Sequence, residues 1–214
     1  MAIKENKIMI VGCGPGSPDY LTPAARKVIE AAEVLIGAKR LLDLFPGDGR
    51  ERIAVGKDTE AVLREIAARR EQRRLAVLVT GDPGLYSLAA PVIRRFGRDA
   101  CEIVPGISAV QTAFARLGLD WQDAMIISAH ASEPELSGEK LRAYGKVAIL
   151  GGDKELPRRL PPLLTYMEDK GYSFFACEDL TLPEERIYEI GLAEPAGLVM
   201  SARAIILIVR KDLL

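Results

Sequence analysis

The stretch Ile8-Met9-Ile10-Val11-Gly12-Cys13-Gly14-Pro15-Gly16-Ser17-Pro18-Asp19-Tyr20-Leu21-Thr22-Pro23 decides the architecture. Residues 8–11 form an unbroken apolar run, the pattern of a short strand buried on both faces. A glycine-rich turn follows at once. Thr22 then stands where a helix N-cap belongs and Pro23 at the first helical position, so a helix is expected through residue 32. Strand, glycine turn and capped helix in this order are the opening of a βαβ unit.

The same alternation continues outward from this unit. Strands are expected at 34–36, 52–55, 76–79 and 102–104, with helices around 38–45, 59–70, 88–96 and 108–117. Alternating strands and helices predict a mostly parallel sheet with helices on its faces. Residues 118–123 read as a joint, with a glycine, two acids and the only Trp of the chain. The expected domains are therefore 1–118, an α/β unit, and 119–214, a second α/β unit. The second half restarts with a strand at 125–127, then one at 146–150 and a helix at 156–170 with an early proline pair. Strands at 174–177, 186–189 and 204–209 complete it. The first two of these late strands have little between them, which predicts antiparallel pairing and a mixed sheet.

Composition narrows the function. Of 214 residues, 49% are hydrophobic and 28% charged, and the net charge is −1, which describes a globular chain able to bury a core. A balanced charge argues against a nucleic-acid partner, which usually demands an excess of Lys and Arg. No apolar run is long enough to span a membrane, and the first residues lack the apolar stretch of a secretory signal. Cys13, Cys101 and Cys177 are scattered, with no C-x-x-C, so neither a disulfide framework nor a zinc site is expected. His130 is the single histidine. No metal site on the protein and a reducing, cytoplasmic location are expected.

Three loops carry the chemistry. The first is Gly12-Cys13-Gly14-Pro15-Gly16-Ser17-Pro18-Asp19, where glycines leave backbone open to a ligand. It is not a dinucleotide fingerprint. G-x-G-x-x-G would need glycine where Ser17 stands, and the second strand runs into Gly37-Ala38-Lys39 instead of ending on an acid. Its prolines also remove N–H donors that a pyrophosphate would use. The second loop is Thr80-Gly81-Asp82-Pro83-Gly84-Leu85-Tyr86, at the end of the strongest strand. The third is Val104-Pro105-Gly106-Ile107-Ser108-Ala109. In open α/β sheets ligands bind beyond the carboxyl ends of strands, so three such loops describe one edge of one cleft. Each also has a plain structural reading: a turn, or a helix cap by Ser108.

In order and spacing these segments resemble the tetrapyrrole (corrin/porphyrin) methylase family: G-x-G-P-G-x-P-D-x-L-T, then G-D-P-G-x-Y, then V-P-G-I-S-A. The resemblance extends through Ser128-Ala129-His130 and Glu178-Asp179-Leu180. Ile36-Gly37-Ala38-Lys39-Arg40-Leu41-Leu42 and the Ser-Ala-His stretch are most similar to the branch that methylates C-5 of cobalt-precorrin-7, or of the cobalt-free ring, in cobalamin biosynthesis. The resemblance implies a two-domain fold with a cofactor cleft and S-adenosylmethionine as methyl donor. It implies that Gly14 and Pro15 border the donor, and that Thr80, Gly81 and Asp82 meet its amino-acid end. Leu85, Ser108 and Ala109 would lie beside it, with Leu150 on the adenine side. One departure stands out: a Thr-Asp pair is common in this branch after the strand at 146–150, whereas here the text is Leu150-Gly151-Gly152-Asp153.

The remaining chemistry is an in-line methyl transfer to an electron-rich ring carbon, helped chiefly by positioning, followed by loss of a proton. Candidate bases are His130, Asp82 and Glu178, the imidazole having the best-matched ordinary pKa. For Asp82, loop structure or donor binding is the preferred role. A ring bearing several carboxylates calls for Arg or Lys, with Lys39, Arg40, Arg94, Arg95, Arg116 and Arg142 as candidates. By resemblance the chain is expected to form a homodimer, and methylation at C-15 with decarboxylation to reside on another polypeptide. Open alternatives are a relative acting on another substrate, such as ribosomal RNA or a diphthamide precursor, and a non-catalytic tetrapyrrole carrier or scaffold for the C-15 enzyme. A nucleotide-dependent dehydrogenase is the least suited of the readings.

Overall fold

The computed structural model describes residues 7–47, 49–56, 58–129, 137–151, 156–191 and 200–214. In the first part of the chain, β1 (Ile8–Gly12) is followed by α1 (Pro23–Ala31), β2 (Val34–Gly37), α2 (Lys39–Leu42), β3 (Glu51–Ala54), α3 (Thr59–Arg69), β4 (Leu75–Val79), α4 (Ala89–Phe96) and β5 (Cys101–Val104). Thr22 caps α1, its hydroxyl accepting from the Ala25 N–H at 3.1 Å, with Pro23 just inside. Asp58 does the same for α3 by accepting from Ala61.

The five strands form one parallel sheet in the order β3-β2-β4-β1-β5. Alternate residues of β1 face opposite ways. Met9 and Val11 pack with Ala25, Val28 and Ile29 of α1 and Leu41 and Leu42 of α2. Ile8 and Ile10 pack on the other face with Val62, Leu63 and Ile66 of α3 and Ala89 and Val92 of α4. With both faces covered, the strand has no polar side, which is why it reads as a continuous apolar run.

The second part contains α5 (Ala109–Arg116), β6 (Met125–Ser128), α6 (Gly138–Leu141), β7 (Lys146–Leu150), α7 (Leu156–Glu168), β8 (Tyr172–Glu178), β9 (Arg186–Glu189) and β10 (Ile205–Arg210). Its sheet runs β6-β7-β10-β8-β9. The β6–β7 pair is parallel, and β7–β10, β10–β8 and β8–β9 are antiparallel. This is the mixed sheet expected from the short β8–β9 connection. α7 contributes Leu156, Leu160, Leu163, Leu164 and Met167 to the core, the spacing of one helical face, despite Pro161 and Pro162 within it.

The compact units are Met1–Ser108 and Ala109–Leu214. α5 packs against β10 and so goes with the second unit, whereas the sequence reading set the joint at residues 118–123. The break follows where α5 finds its packing partner, which composition around Gly118 does not reveal.

Candidate functional site

Because all five strands of the first sheet are parallel, their carboxyl ends lie on one edge. The connections leaving β1 and β4 cross opposite faces, through α1 and α4, so the chain diverges between these neighbouring strands. Such a switch point is where open α/β sheets bind ligands. The three loops expected to carry chemistry all start at this edge, after β1, β4 and β5.

There they touch one another. Gly14 and Gly81 exchange backbone hydrogen bonds, Gly14 N–H to Gly81 O at 3.3 Å and Gly81 N–H to Gly14 O at 2.8 Å. Both have positive φ, +77° and +66°, which glycine adopts without strain. A Cβ on Gly12 would lie 2.7 Å from both Gly106 N and Gly81 O, and one on Gly106 would lie 2.3 Å from Gly81 O. The glycines thus let the three loops pack backbone to backbone. Ligand access alone, the reason read from sequence, is an incomplete account of them.

Asp82 fastens this arrangement. One carboxylate oxygen accepts from Gly84 N–H at 2.7 Å within its own loop, and the other from Gly106 N–H at 3.0 Å in the third loop. The side chain is half-buried, so lone pairs remain for a ligand. Thr80 accepts a hydrogen bond at its hydroxyl from the Arg40 guanidinium, which reaches across from α2. Gly14 and Pro15 are buried, Leu85 is half-buried, and Ser108 is 5% exposed. Ser108 closes the first unit and Ala109 opens α5. Tyr86, at the tip of the second loop, has φ +46° and is 59% exposed, an aromatic ring held out by a backbone conformation that ordinary residues seldom adopt. Cys13 lies beside this edge, and burial pushes its thiol up to about 12 despite the opposing charge of Arg40.

In the second sheet, the registers place Ser128, Leu150 and Glu178 at one edge, together with the start of β10. Glu178 is fully buried, and both its oxygens are engaged, by Arg186 at 2.6 Å and by the Ser201 N–H at 2.7 Å. Asp179 accepts from the Ser201 hydroxyl at 3.0 Å and from Arg203 at 2.6 Å. The two acids therefore tie the end of β8 to the segment before β10, which makes Glu178 an anchor. The sequence reading missed this set because Ser201 and Arg203 lie far along the chain from their partners. His130 falls outside the described residues. Leu150 is half-buried, and its carbonyl accepts from Ala129 N–H at 3.0 Å. The departure at Gly151 has a steric reason: its N–H donates to Ala204 O at 2.8 Å, and a Cβ would sit 2.6 Å from that oxygen.

The basic candidates separate in the same way. Lys39 pairs with Asp43 at 2.8 Å, and Arg116 grips Glu185 through two contacts of 2.7 and 3.2 Å. The Arg95 guanidinium lies over the Phe96 ring, 5.6 Å from its centroid. The Arg40 head group meets the loop edge at Thr80. Among the described residues, no cluster of three or more His, Cys, Asp or Glu is arranged to hold a metal ion, and no helix is long and apolar enough to cross a membrane.

A doubly wound parallel sheet with glycine loops at its switch point, followed by a mixed-sheet unit, defines an α/β ligand-binding protein of two units. The chain belongs to the tetrapyrrole (corrin/porphyrin) methylases, whose family model matches residues 7–196. It is 37% identical over 182 residues to the cobalt-precorrin-7 C(5)-methyltransferase of Salmonella typhimurium, covering 85% of this chain and 89% of that protein. Among solved structures, the cobalamin biosynthesis precorrin-6Y methylase of Archaeoglobus fulgidus is 30% identical with a TM-score of 0.73, covering 96% of this chain and 98% of that one. The uroporphyrin-III C-methyl transferase of Thermus thermophilus, solved with S-adenyl homocysteine, shares the fold at 22% identity and a TM-score of 0.72, over 95% of this chain and 92% of that one.

Proposed function

We propose that this chain transfers a methyl group from S-adenosylmethionine to C-5 of cobalt-precorrin-7, or of its cobalt-free counterpart, in cobalamin biosynthesis. The observation that carries the reading is the 37% identity to a C(5)-methyltransferase along most of both chains. The first sheet supports it independently, since its three glycine loops converge at a switch point.

The residues at that edge fit the donor. The Arg40 guanidinium meets the Thr80 hydroxyl, and the Asp82 carboxylate lies two residues further along the same loop, a donor and acceptor set suited to the charged ends of an amino acid. Thr80, Gly81 and Asp82 would hold that end, Gly14, Pro15, Leu85, Ser108 and Ala109 would line the donor, and Leu150 would take the adenine side. The bound donor supplies a methyl group already activated by its sulfonium. The protein's task is to hold the ring carbon in line with that methyl, which can lower the barrier by several kcal/mol. Asp82, with both oxygens bonded to backbone, positions the loops. Proton removal from the methylated carbon is assigned to His130, whose ordinary pKa suits transfer near neutrality.

The relative named for C(5) alone is covered over 89% of its length. This supports transfer to C-5, and the proposal leaves C-15 methylation and decarboxylation to a separate polypeptide. The family resemblance supports a homodimer as part of the proposal. A cytoplasmic location suits the free cysteines Cys13, Cys101 and Cys177.

The test is incubation of the purified protein with cobalt-precorrin-7, its cobalt-free counterpart and other tetrapyrroles, each with S-adenosylmethionine, followed by mass analysis. One added methyl on the C-5-unmethylated ring is expected. Tight ring binding with no affinity for S-adenosylhomocysteine would make the chain a carrier and end the catalytic reading.

A further inference from the structure

Arg40 differs from Lys39, Arg95 and Arg116, whose recorded contacts are with Asp43, Phe96 and Glu185. It lies in the first turn of α2, directly after β2, on the same edge as the three loops. Its side chain is exposed. Its guanidinium nevertheless reaches across to the end of β4, where it donates to the Thr80 hydroxyl. Its charge is also felt at the end of β1, where it opposes the upward push that burial gives the Cys13 thiol. Lys39, its neighbour in the same turn, is committed elsewhere, to Asp43.

A guanidinium presents five N–H donors in a flat fork. The hydroxyl of Thr80 takes one N–H, and its own oxygen is held in place by doing so. The fork matches a carboxylate, which can accept two parallel hydrogen bonds from it. Threonine beside the fork adds a hydroxyl able to donate to the same carboxylate. Asp82, two residues after Thr80, has one oxygen on the Gly84 N–H and the other on the Gly106 N–H.

From this juxtaposition we propose that Arg40, steadied by Thr80, is the carboxylate-recognition residue of the first unit's loop edge. The inference rests on the proposed methyl transfer, in which both ligands bear carboxylates: the donor at its amino-acid end, the ring on its acetate and propionate side chains. The recognised chemistry is the same in either case.

The experiment separates the two sources. S-adenosylhomocysteine and 5′-methylthioadenosine, which lacks the amino-acid end, are titrated calorimetrically into the wild-type protein and into Arg40→Ala, Arg40→Gln and Arg40→Lys. KM and kcat for the ring are measured alongside. Wild-type binding of S-adenosylhomocysteine must be seen first, and its absence would count against the proposed function rather than against Arg40. A drop of about 10- to 100-fold in S-adenosylhomocysteine affinity, with 5′-methylthioadenosine unaffected, assigns the donor's carboxylate. Unchanged affinity for both nucleosides with KM for the ring raised by a similar factor, kcat being kept, assigns a ring carboxylate. In either case Arg40→Lys recovers part of the loss, retaining charge but not the fork. Unaltered affinities and KM overturn the proposal. So does equal loss of both nucleosides in Arg40→Gln and Arg40→Lys, which would make Arg40 a structural support.

Discussion

Asp82 shows how one side chain can tie two loops together. Its two oxygens each accept a backbone N–H, one in its own loop and one from the loop after β5. Replacement by Asn keeps the shape and leaves a single acceptor, so an amide N–H₂ must face one of the two N–H groups. Asp82→Asn is therefore expected to lose about 1–2 kcal/mol of stability, read from denaturant unfolding, and to bind S-adenosylhomocysteine more weakly. Unchanged stability would mean that the bridge between loops contributes nothing. The cysteines give a second check at this scale. Burial pushes the Cys13 and Cys177 thiols up to about 12, so almost no thiolate exists near neutral pH. Iodoacetamide should leave both untouched in the folded protein and modify them after unfolding. Rapid alkylation of either in the native state would contradict the burial described.

At the scale of elements, the glycine loops and the ion pair of α5 make distinct demands. A Cβ on Gly106 would meet the Gly81 carbonyl at 2.3 Å, backbone against backbone, with no flexible side chain to yield. Gly106→Ala should therefore force the loops after β4 and β5 apart and cost about 1–3 kcal/mol, with a matching fall in melting temperature. Near-wild-type melting would show that the loops are not packed as described. Much of this level was legible beforehand. The strand at residues 8–11, the Thr22 cap and the strands Lys146–Leu150 and Arg186–Glu189 are encoded within a few consecutive residues, and they stand where the pattern placed them. The order β3-β2-β4-β1-β5, the mutual packing of Gly12, Gly81 and Gly106, and the hold of Glu178 on Ser201 join residues far apart, and no local period records them. The partner of α5 was hidden for the same reason. Its Arg116 holds Glu185, and this hydrogen bond, helped by the Thr181 N–H, keeps the Glu185 carboxyl below its ordinary 4.5. A carboxylate whose folded value is lowered adds stability that is complete above its ordinary value and vanishes as pH falls through the lowered one. Glu185→Gln should thus melt below wild type at neutral pH, and the gap should close well below pH 4.5. A gap that persists in strong acid would assign the effect to packing instead.

The whole molecule carries a net charge of only −1, so it offers no broad positive field to draw in a ring rich in carboxylates. On the proposed function, recognition of such a ring would then be local, with Arg40 at the loop edge as the group proposed for it. The family match runs from residue 7 to 196, across both units, so the two sheets together make up one methylase unit and not two copies of one. On the proposed function, the loops after β1, β4 and β5 would seat one donor. On the proposed function, a ring lacking methyls at both C-5 and C-15 should leave this protein with a single added methyl and all its carboxyl groups, even with donor in excess and long incubation. Adding a separate C-15 methyltransferase should then yield the second methyl and release carbon dioxide, both followed by mass and by loss of label from a carboxyl-labelled ring. If the isolated chain alone gave two methyls or lost a carboxyl group, one edge would have to serve two ring positions. The assignment of one transfer to one set of loops would then fail.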